Sequence, residues 1–480
     1  MTRRVVMTLL VLLTSGLLLF TPALAQAHGT LKSSVPAAGA HLGVAPRELR
    51  LTFTESPELT FTTLILRRAD GSAVALGPLL VASDSRRAVI AAVQGALAAG
   101  TYTVEWKTAG ADGHPVTGRF DFTIAPGAEG LGVLRTDAGR EGGLPVTPSH
   151  STSHNDPTAL PSGVGFDAES PMYVAVRWLL YVGLLTVIGA VAFQSAVLGR
   201  LPRDPGPAAS LRVEIGHRAA TLGFIGAALV AVAVLLRLYA QSYAMHGAAL
   251  ALDRPLVGSM LTSTTWGRGW MVQLVSVVVA LAGFGGARRG RRPAWSPSWT
   301  LAGVGALGLA FTPALSGHAA STPQFTTLAI LADALHVIGA SGWLGSLLLL
   351  LAVGIPAAMR LDKSERWRSV ADIVNAFSPT ALVCAGMTAI TGVFAAWLHL
   401  GTVSALWQTA YGITLLVKLA ILSVLAATGA YNWRRVKPAL GDATGARRLR
   451  QSASIEVAVG VLVLIVTAVL VATPTGMTRL

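Results

Sequence analysis

The strongest constraint on this chain is a pattern that starts near residue 172 and recurs to residue 472. It consists of apolar runs about 18–25 residues long, each enough to cross a hydrocarbon layer of roughly 30 Å as a helix. Backbone N–H and C=O groups in hydrocarbon have no water to bond, so such runs must close their own hydrogen bonds as helices. Eight spans are predicted, near 172–198, 219–240, 270–287, 299–316, 328–353, 376–397, 411–432 and 453–472. Composition agrees: 12% of the 480 residues are charged and 52% are hydrophobic, whereas soluble domains carry about 25% charged residues. The formal net charge of +14 would suggest nucleic acid in a soluble chain. Here the cations sit in short loops between apolar runs, so the expected partner is a lipid bilayer and no nucleic acid.

The loops alternate in charge. One set carries Arg200, Arg203, Arg212, Arg218, Arg288, Arg289, Arg291, Arg292, Arg360, Lys363, Arg366, Arg368 and a further cluster from Arg434 to Arg450. The other set, with the C-terminal tail, carries only Arg254, Arg268 and Arg479. The positive-inside rule assigns the first set to the cytoplasm and puts the N-terminal domain and the C-terminus outside a plasma (inner) membrane. Residues 1–27 read as a secretory signal peptide, with Arg3 and Arg4, an apolar core from Val5 to Phe20, and Ala25-Gln26-Ala27 as the small-x-small cleavage site. Cleavage after Ala27 would make His28 the mature N-terminus. Cys384, the single cysteine, lies in an apolar run and reads as helix packing.

Residues 28–125 read as an all-β domain. Leu49–Phe53, Thr101–Trp106 and Arg119–Ile124 alternate apolar and polar residues, with Ala69-Asp70-Gly71, Ala99-Gly100 and Asp112-Gly113 as turns. A small sandwich or Greek-key barrel follows. Residues 126–170 are rich in Gly, Pro, Ser and Thr and read as a flexible linker, with His150 and His154 as solvated residues. Residues 171–474 form the all-α membrane domain of eight helices.

Once the signal is removed, His28 offers two nitrogens to one ion, its α-amine and its ring Nδ1. Cu(II) favours amine and imidazole nitrogens in a tetragonal arrangement. Asp112-Gly113-His114-Pro115 adds a carboxylate and a second imidazole. In extended backbone, residues i and i+2 point the same way, so Asp112 and His114 can converge. Each feature alone is ordinary; together in one small secreted domain they favour a metal site. His41 reads as an exposed loop residue and Glu55 as an edge carboxylate.

The stretches His28-Gly-Thr-Leu-Lys-Ser-Ser-Val-Pro36-Ala-Ala-Gly39, Leu51-Thr-Phe-Thr-Glu55, Tyr102-Thr-Val-Glu-Trp106 and Asp112-Gly-His114-Pro-Val-Thr-Gly118 resemble the CopC family. That resemblance implies a cupredoxin-like β-fold carrying copper outside the cytoplasm, with His28, Asp112 and His114 as Cu(II) ligands. No Met occurs between Met7 and Met172, so the Met-rich Cu(I) site of some CopC proteins is not expected.

Ionisable residues inside a bilayer are costly and are functional candidates. His318 follows the fourth run. Asp333 and His336 share one face of the fifth helix with Ala340 and Trp343, at spacings of three, four and three. Asp333 is expected to orient the His336 ring or to relay protons. Lys418, in the seventh helix, is a candidate partner for Asp333. His318, Asp333, His336 and Lys418 thus form a candidate membrane copper path. Arg237 is expected to snorkel, Glu456 to reach the interface and His399 to lie in an exposed loop. Trp178, Trp266, Trp270, Trp397, Trp407 and Trp433 are expected in the aromatic belts. Ser316-Gly-His318-Ala, Asp333-Ala-Leu-His336-Val-Ile-Gly-Ala-Ser-Gly-Trp343-Leu-Gly345 and Tyr411-Gly-Ile-Thr-Leu-Leu-Val-Lys418 resemble the CopD family of membrane copper proteins.

CopC–CopD fusions of this architecture imply copper acquisition or homeostasis. Copper is the expected ligand, as Cu(II) in the β-domain and as Cu(I) if reduced in transit, with a copper chaperone or reductase as a candidate partner. No Walker-type nucleotide motif is present, so ATP hydrolysis is not expected, and the chain is not read as an enzyme. Three other readings compete: a membrane haem or redox protein using helix histidines, an oxygen-activating copper enzyme, and a copper-sequestering resistance protein without transport.

Overall fold

A computed structural model describes residues 31–54, 56–109, 115–127, 170–201, 207–289, 297–316, 325–400, 402–436 and 443–473. The signal peptide, the linker histidines, His28, Glu55, Asp112, His114 and His318 lie outside the described residues. Contacts divide the chain into two compact units: Phe166–Ala240 with Trp266–Leu480, and Ala27–Gly165 with Gln241–Thr265.

In the second unit, nine strands form two sheets. They are β1 (Leu31–Val35), β2 (His41–Leu42), β3 (Glu48–Phe53), β4 (Thr63–Arg68), β5 (Ala73–Val74), β6 (Leu80–Ala82), β7 (Ser85–Ala92), β8 (Gly100–Ala109) and β9 (Pro115–Ile124). One sheet has the order β1-β3-β7-β6 and the other β2-β9-β8-β4-β5. Among the described residues, only β2–β9 pairs in parallel; the other strand pairs are antiparallel. The period-two expectation holds: Leu49, Leu51 and Phe53 of β3 are buried, as are Tyr102, Val104 and Trp106 of β8. These two rows meet as the core. Phe53 meets Trp106 edge-on at 5.2 Å, and Tyr102 stacks on Phe122 at 5.5 Å. The buried Tyr102 hydroxyl donates to the Ala98 carbonyl at 2.9 Å. Gly118 pairs with Trp106 across the β8–β9 ladder, and a Cβ there would stand 2.5 Å from the indole. Only glycine leaves the ring its place.

The other unit is helical. The main helices are α1 (Pro171–Ala192), α2 (Pro207–His246), α3 (Arg254–Ser263), α4 (Thr265–Arg289), α5 (Pro297–Leu315), α6 (Thr326–Ala340), α7 (Lys363–Leu400), α8 (Ala410–Tyr431) and α9 (Ala443–Ala472). The end of α2 and all of α3 belong to the β-sheet unit. Eight helical stretches are long and apolar enough to cross a membrane; α3, with 10 residues, is not among them. The helices overrun the apolar runs that mark them: the second stretch is Ala209–His246, where hydrophobicity marks 219–240.

The fifth stretch is not one regular helix. After Ala340 it passes through π-helical turns at Ser341–Gly345 and Leu350–Gly354 before ending near Ala358. The 3.6-residue face carrying Asp333 and His336 therefore cannot be projected on to Trp343, which packs beside Leu185, Leu344 and Leu425. At the first π turn the backbones of α1 and this stretch nearly touch. A Cβ on Gly189 would stand 2.5 Å from Gly345 Cα. Small residues are how membrane helices gain close packing where hydrophobicity offers no preference between lipid and protein.

Candidate metal-handling sites

In the β-sheet unit the ladder β8–β9 runs from Gly100–Ile124 to Ala109–Pro115. Its last pair is Ala109–Pro115; Asp112 and His114 fall between these two in sequence and lie outside the described residues. Several bonds fasten that end. The Glu58 N–H donates to the Ala109 carbonyl at 2.9 Å, and the hydroxyls of Thr62 and Thr108 bond at 2.8 Å. Leu31 pairs with Phe53, which packs on Trp106, three residues before Ala109. The start of β1 thus lies toward the same end, and His28 is three residues upstream, within about 10 Å of extended chain. His41 pairs with Thr123 instead, eight residues along β9 from Pro115 and roughly 26 Å away at strand rise. It is exposed, as expected, and lies far from Pro115 along β9.

In the helical unit, Asp333 and His336 on α6, Lys418 and Tyr411 on α8, and Thr391 on α7 come together. Asp333 lies within electrostatic reach of Lys418 and Tyr411, and His336 within reach of Lys418. Asp333, His336 and Lys418 are all half-buried. Three of the four expected path residues therefore share one site. The expected Asp–His pairing is replaced by another contact. His336 Nδ1 stands 3.1 Å from Thr391 Oγ1, and Asp333 forms no ion pair with Lys418 among the described residues. The Thr391 hydroxyl donates its one proton to the Met387 carbonyl at 2.8 Å. With that proton directed at the carbonyl, its oxygen is free to accept from His336 Nδ1–H, the tautomer in which Nε2 keeps the lone pair. Gly392 allows this approach, since a Cβ there would sit 3.2 Å from the imidazole Cε1.

Among the described residues, no group of three or more His, Cys, Asp or Glu side chains is placed to hold a metal. The helical site thus offers one imidazole beside one carboxylate and one ammonium. Such a set suits brief contact with a cation better than storage. Cys384 points at the α6 stretch, where a Cβ on Gly342 would fall 2.7 Å from its sulfur; the thiol fills that notch.

Several polar residues differ from expectation. Arg237 does not snorkel. It is buried, donates to Gln273 Oε1 at 2.7 Å and to Ser316 Oγ at 3.1 Å, and lies over the Trp266 ring. Gln273 Nε2 in turn donates to Thr312 Oγ1 at 3.0 Å. Trp266 and Trp270 are buried helix-packing residues rather than belt residues, with the Trp270 Nε1–H bonded to the Val234 carbonyl at 2.9 Å. Trp397, Trp407 and Trp433 are exposed, as a belt requires. Glu456 is buried and accepts from Asn432 Nδ2. His399 belongs to the last turn of α7, where its Nδ1 is 2.7 Å from the Ala395 carbonyl. Sequence reasoning missed the Arg237 network because its partners are neutral residues on α4 and at the end of α5. The only available signal was a charged residue three positions inside an apolar run.

A β-sandwich followed by eight membrane-length helices defines the class: an integral membrane protein with a small β-domain at its N-terminal side. The family model for the CopC domain matches residues 31–125. That for the copper resistance protein D-like N-terminal domain matches 167–325, and that for copper resistance protein D matches 371–470. The chain is 27% identical over 458 residues to the copper transport protein CutJ of Bacillus subtilis, covering 95% of this chain and 76% of that protein. It is 27% identical over 311 residues to copper resistance protein D of Pseudomonas syringae pv. tomato, covering 62% of this chain and 94% of that protein. It is 32% identical over 119 residues to copper resistance protein C of Escherichia coli, covering 24% of this chain and 94% of that protein. The chain belongs to the CopC family through its β-domain and joins it to a CopD-type membrane domain, and its place is in copper homeostasis.

Proposed function

We propose that this protein acquires copper from outside the cell, binding Cu(II) on the β-domain and passing copper to or across the plasma membrane. The observation that carries the reading is the covalent union of a CopC domain with a CopD domain, shared along 95% of this chain with a copper transport protein. In this reading residues 1–27 are a removed signal, residues 126–170 link the domains, and the β-domain and C-terminus are extracytoplasmic. The basic loops between spans support that sidedness.

His28, Asp112 and His114 are the proposed Cu(II) ligands. The convergence of the flanking strand ends supports this, because Leu31, Ala109 and Pro115 lie toward one end of the sandwich. His318, Asp333, His336 and Lys418 are the proposed membrane path. Within it, His336 Nε2 is the proposed ligand nitrogen and Asp333 the group that offsets the ion's charge. Lys418 is then the counter-charge that keeps Asp333 soluble in the bilayer when no ion is present. Copper is cargo here, and no chemical transformation by the chain is proposed; a separate reductase or chaperone is a proposed partner.

The test compares cellular copper uptake at limiting external copper with and without the protein, at matched surface expression. Greater accumulation with the protein is expected. Equal accumulation, together with retained copper binding by the ectodomain, would favour sequestration over import.

A further inference from the structure

The helical unit holds, near its basic loops, a buried acid that the membrane path does not use. Glu456 stands eight residues past Arg448, where the eighth spanning stretch begins, and is 5% exposed. The sequence places it at the interface, but the fold sets it against α8, where a Cβ on Gly429 would stand 3.9 Å from its Oε1. Among the described residues its one side-chain hydrogen bond comes from Asn432 Nδ2, to Oε1. Asn432 opens the π-helical turn Asn432–Val436, which closes the same spanning stretch, Ala410–Arg435, that carries Tyr411 and Lys418. The Asn432 amide is only half used: its Oδ1 is buried and has no hydrogen-bond donor among the described residues.

No cation answers this carboxyl. Among the described residues Glu456 forms no ion pair, and Asn432 is the only side chain that bears on it electrostatically. Arg434 and Arg435 on the π turn, and Arg448 and Arg450 on α9, are exposed. On α7, Arg368 and Asp372 are exposed, Arg366 donates to the Leu361 carbonyl, and Glu365 stands in the first turn. Arg200, at the end of the first spanning stretch, donates to Thr380 Oγ1 at 2.7 Å. Lys418 lies fourteen residues back along α8, about 21 Å from Asn432. Tyr181 of α1, which has Arg177 and Asp333 within electrostatic reach, belongs to that far end too. Lys437 falls outside the described residues.

An ionised Glu456 has only acceptors to offer Asn432 Oδ1, itself an acceptor, in a setting where every unmet polar group is costly. One proton removes the mismatch. A carboxylic acid and an amide close a ring of two hydrogen bonds, here Asn432 Nδ2–H to Glu456 Oε1 and Glu456 Oε2–H to Asn432 Oδ1. The first of these bonds is present, and the second would use the acceptor that lacks a donor. Two oxygens suit a proton far better than soft Cu(I). The exposed Arg434 and Arg435 follow Asn432 within one turn, so protons have a short way to the pair. We propose that Glu456 and Asn432 form a proton-binding site that latches the end of α8 to α9, closed when the carboxyl is protonated and loosened when it is ionised. On the copper-acquisition reading above, the latch makes copper passage respond to pH on the side of the basic loops, because one continuous helix carries both Asn432 and Lys418.

The experiment uses the full-length protein in lipid nanodiscs, as wild type and as Glu456→Gln. The glutamine supplies an N–H to Asn432 Oδ1 at every pH and so copies the closed latch without a proton. Infrared spectra with isotopically labelled glutamate, which sets the signal apart from Asp333, should show a buried carboxyl that takes up a proton as pH falls and that Glu456→Gln lacks. Glu456→Leu serves for this assignment if the glutamine variant does not fold. Amide exchange over 428–436 should be about tenfold faster in wild type than in Glu456→Gln at about pH 8, where the latch is short of one donor, and equal in the two at about pH 5. A wild-type spectrum without that carboxyl, or an exchange difference that is the same at both pH values, overturns the proton site. Sodium slowing wild-type exchange in place of acid would overturn it too and give the pair to a metal cation. Uptake at limiting copper is then measured in sealed vesicles with the β-domain outside, at the same two internal pH values. The ratio of wild type to Glu456→Gln should shift with internal pH, and a constant ratio overturns the coupling. Absence of uptake by the wild type sinks the import reading and the coupling together, while the infrared and exchange data still decide the proton site.

Discussion

At the scale of single residues, two side chains define the helical unit's chemistry more sharply than their neighbours. The first is Thr391. It directs its proton to the Met387 carbonyl and so favours the His336 tautomer that carries hydrogen on Nδ1. Thr391→Val removes the acceptor for Nδ1–H and frees the ring to adopt either tautomer. Uptake at limiting copper should fall by about tenfold, equivalent to ~1.4 kcal/mol, while Thr391→Ser should retain it. A nitrogen-resolved NMR spectrum of labelled His336 checks the cause. The second is Arg237, whose buried guanidinium is met by an amide oxygen, a hydroxyl and an indole face. Truncation to Met strands Gln273 Oε1, and a buried acceptor left without a donor costs about 1–3 kcal/mol. Thermal unfolding in detergent should show that loss. Arg237→Met/Gln273→Leu should recover part of it, and a double variant no more stable than the single one would contradict the account.

At the scale of elements, the β8–β9 hairpin carries the proposed metal turn, and its rigidity depends on packing. The Trp106 indole occupies the space a Cβ on Gly118 would need. Gly118→Ala should therefore destabilise the hairpin by about 1–3 kcal/mol, a typical cost of overpacking. It should be visible as faster amide exchange in β8 and β9, with the helices unaffected. On the other sheet, Arg50 of β3 holds Asp84, in the turn between β6 and β7, through bonds of 2.9 and 2.8 Å. The guanidinium keeps the Asp84 carboxyl below its usual value of 3.8. Because the folded-state value is the lower one, this contribution is complete above about pH 3.8 and fades as pH falls through the folded-state value. The β6–β7 hairpin should lose exchange protection over that acidic window. Arg50→Ala should abolish the pH dependence, and both carboxylate and cation are exposed enough that the effect is small.

At the scale of the whole molecule, the proposed copper site depends on a terminus that exists only after processing. On the proposed cleavage after Ala27, adding one alanine before His28 removes the His28 α-amine from the chelate while leaving its imidazole. Cu(II) retention by the full protein should weaken by at least about tenfold, since one of the strong-field nitrogens is lost. Electron paramagnetic resonance should show fewer nitrogen ligands, and uptake at limiting copper should fall in parallel. Unaltered spectra would remove His28 from the ligand set. The helical unit predicts a different phenotype: His336→Gln should leave that spectrum intact and lower uptake alone, because the α6 site belongs to the separate helical unit.

Much of this architecture was legible in the chain because the forces behind it are one-dimensional. The cost of unpaired backbone in hydrocarbon writes each span as a run of apolar residues, and all eight expected spans have counterparts. Alternation in Leu49–Phe53 and Tyr102–Trp106 marked the two faces of the sandwich core, since a strand's side chains change sides at every residue. The shared face of Asp333 and His336 was readable from helical spacing, as far as Ala340. Beyond it the π turn at Ser341–Gly345 broke the period, and it is the tertiary approach of Gly189 to Gly345 that accompanies the break. The partners of His336, Arg237 and Glu456 were not legible: Thr391, Gln273 and Asn432 come from other helices, and neutral residues carry no charge pattern to betray them. The bonds from Lys107 to the carbonyls of Ala244 and Met245, and from the Thr265 N–H to Glu58, were hidden for a related reason. A backbone carbonyl or N–H has no side chain to read, so which ones a distant charge will satisfy is decided only when the chain folds.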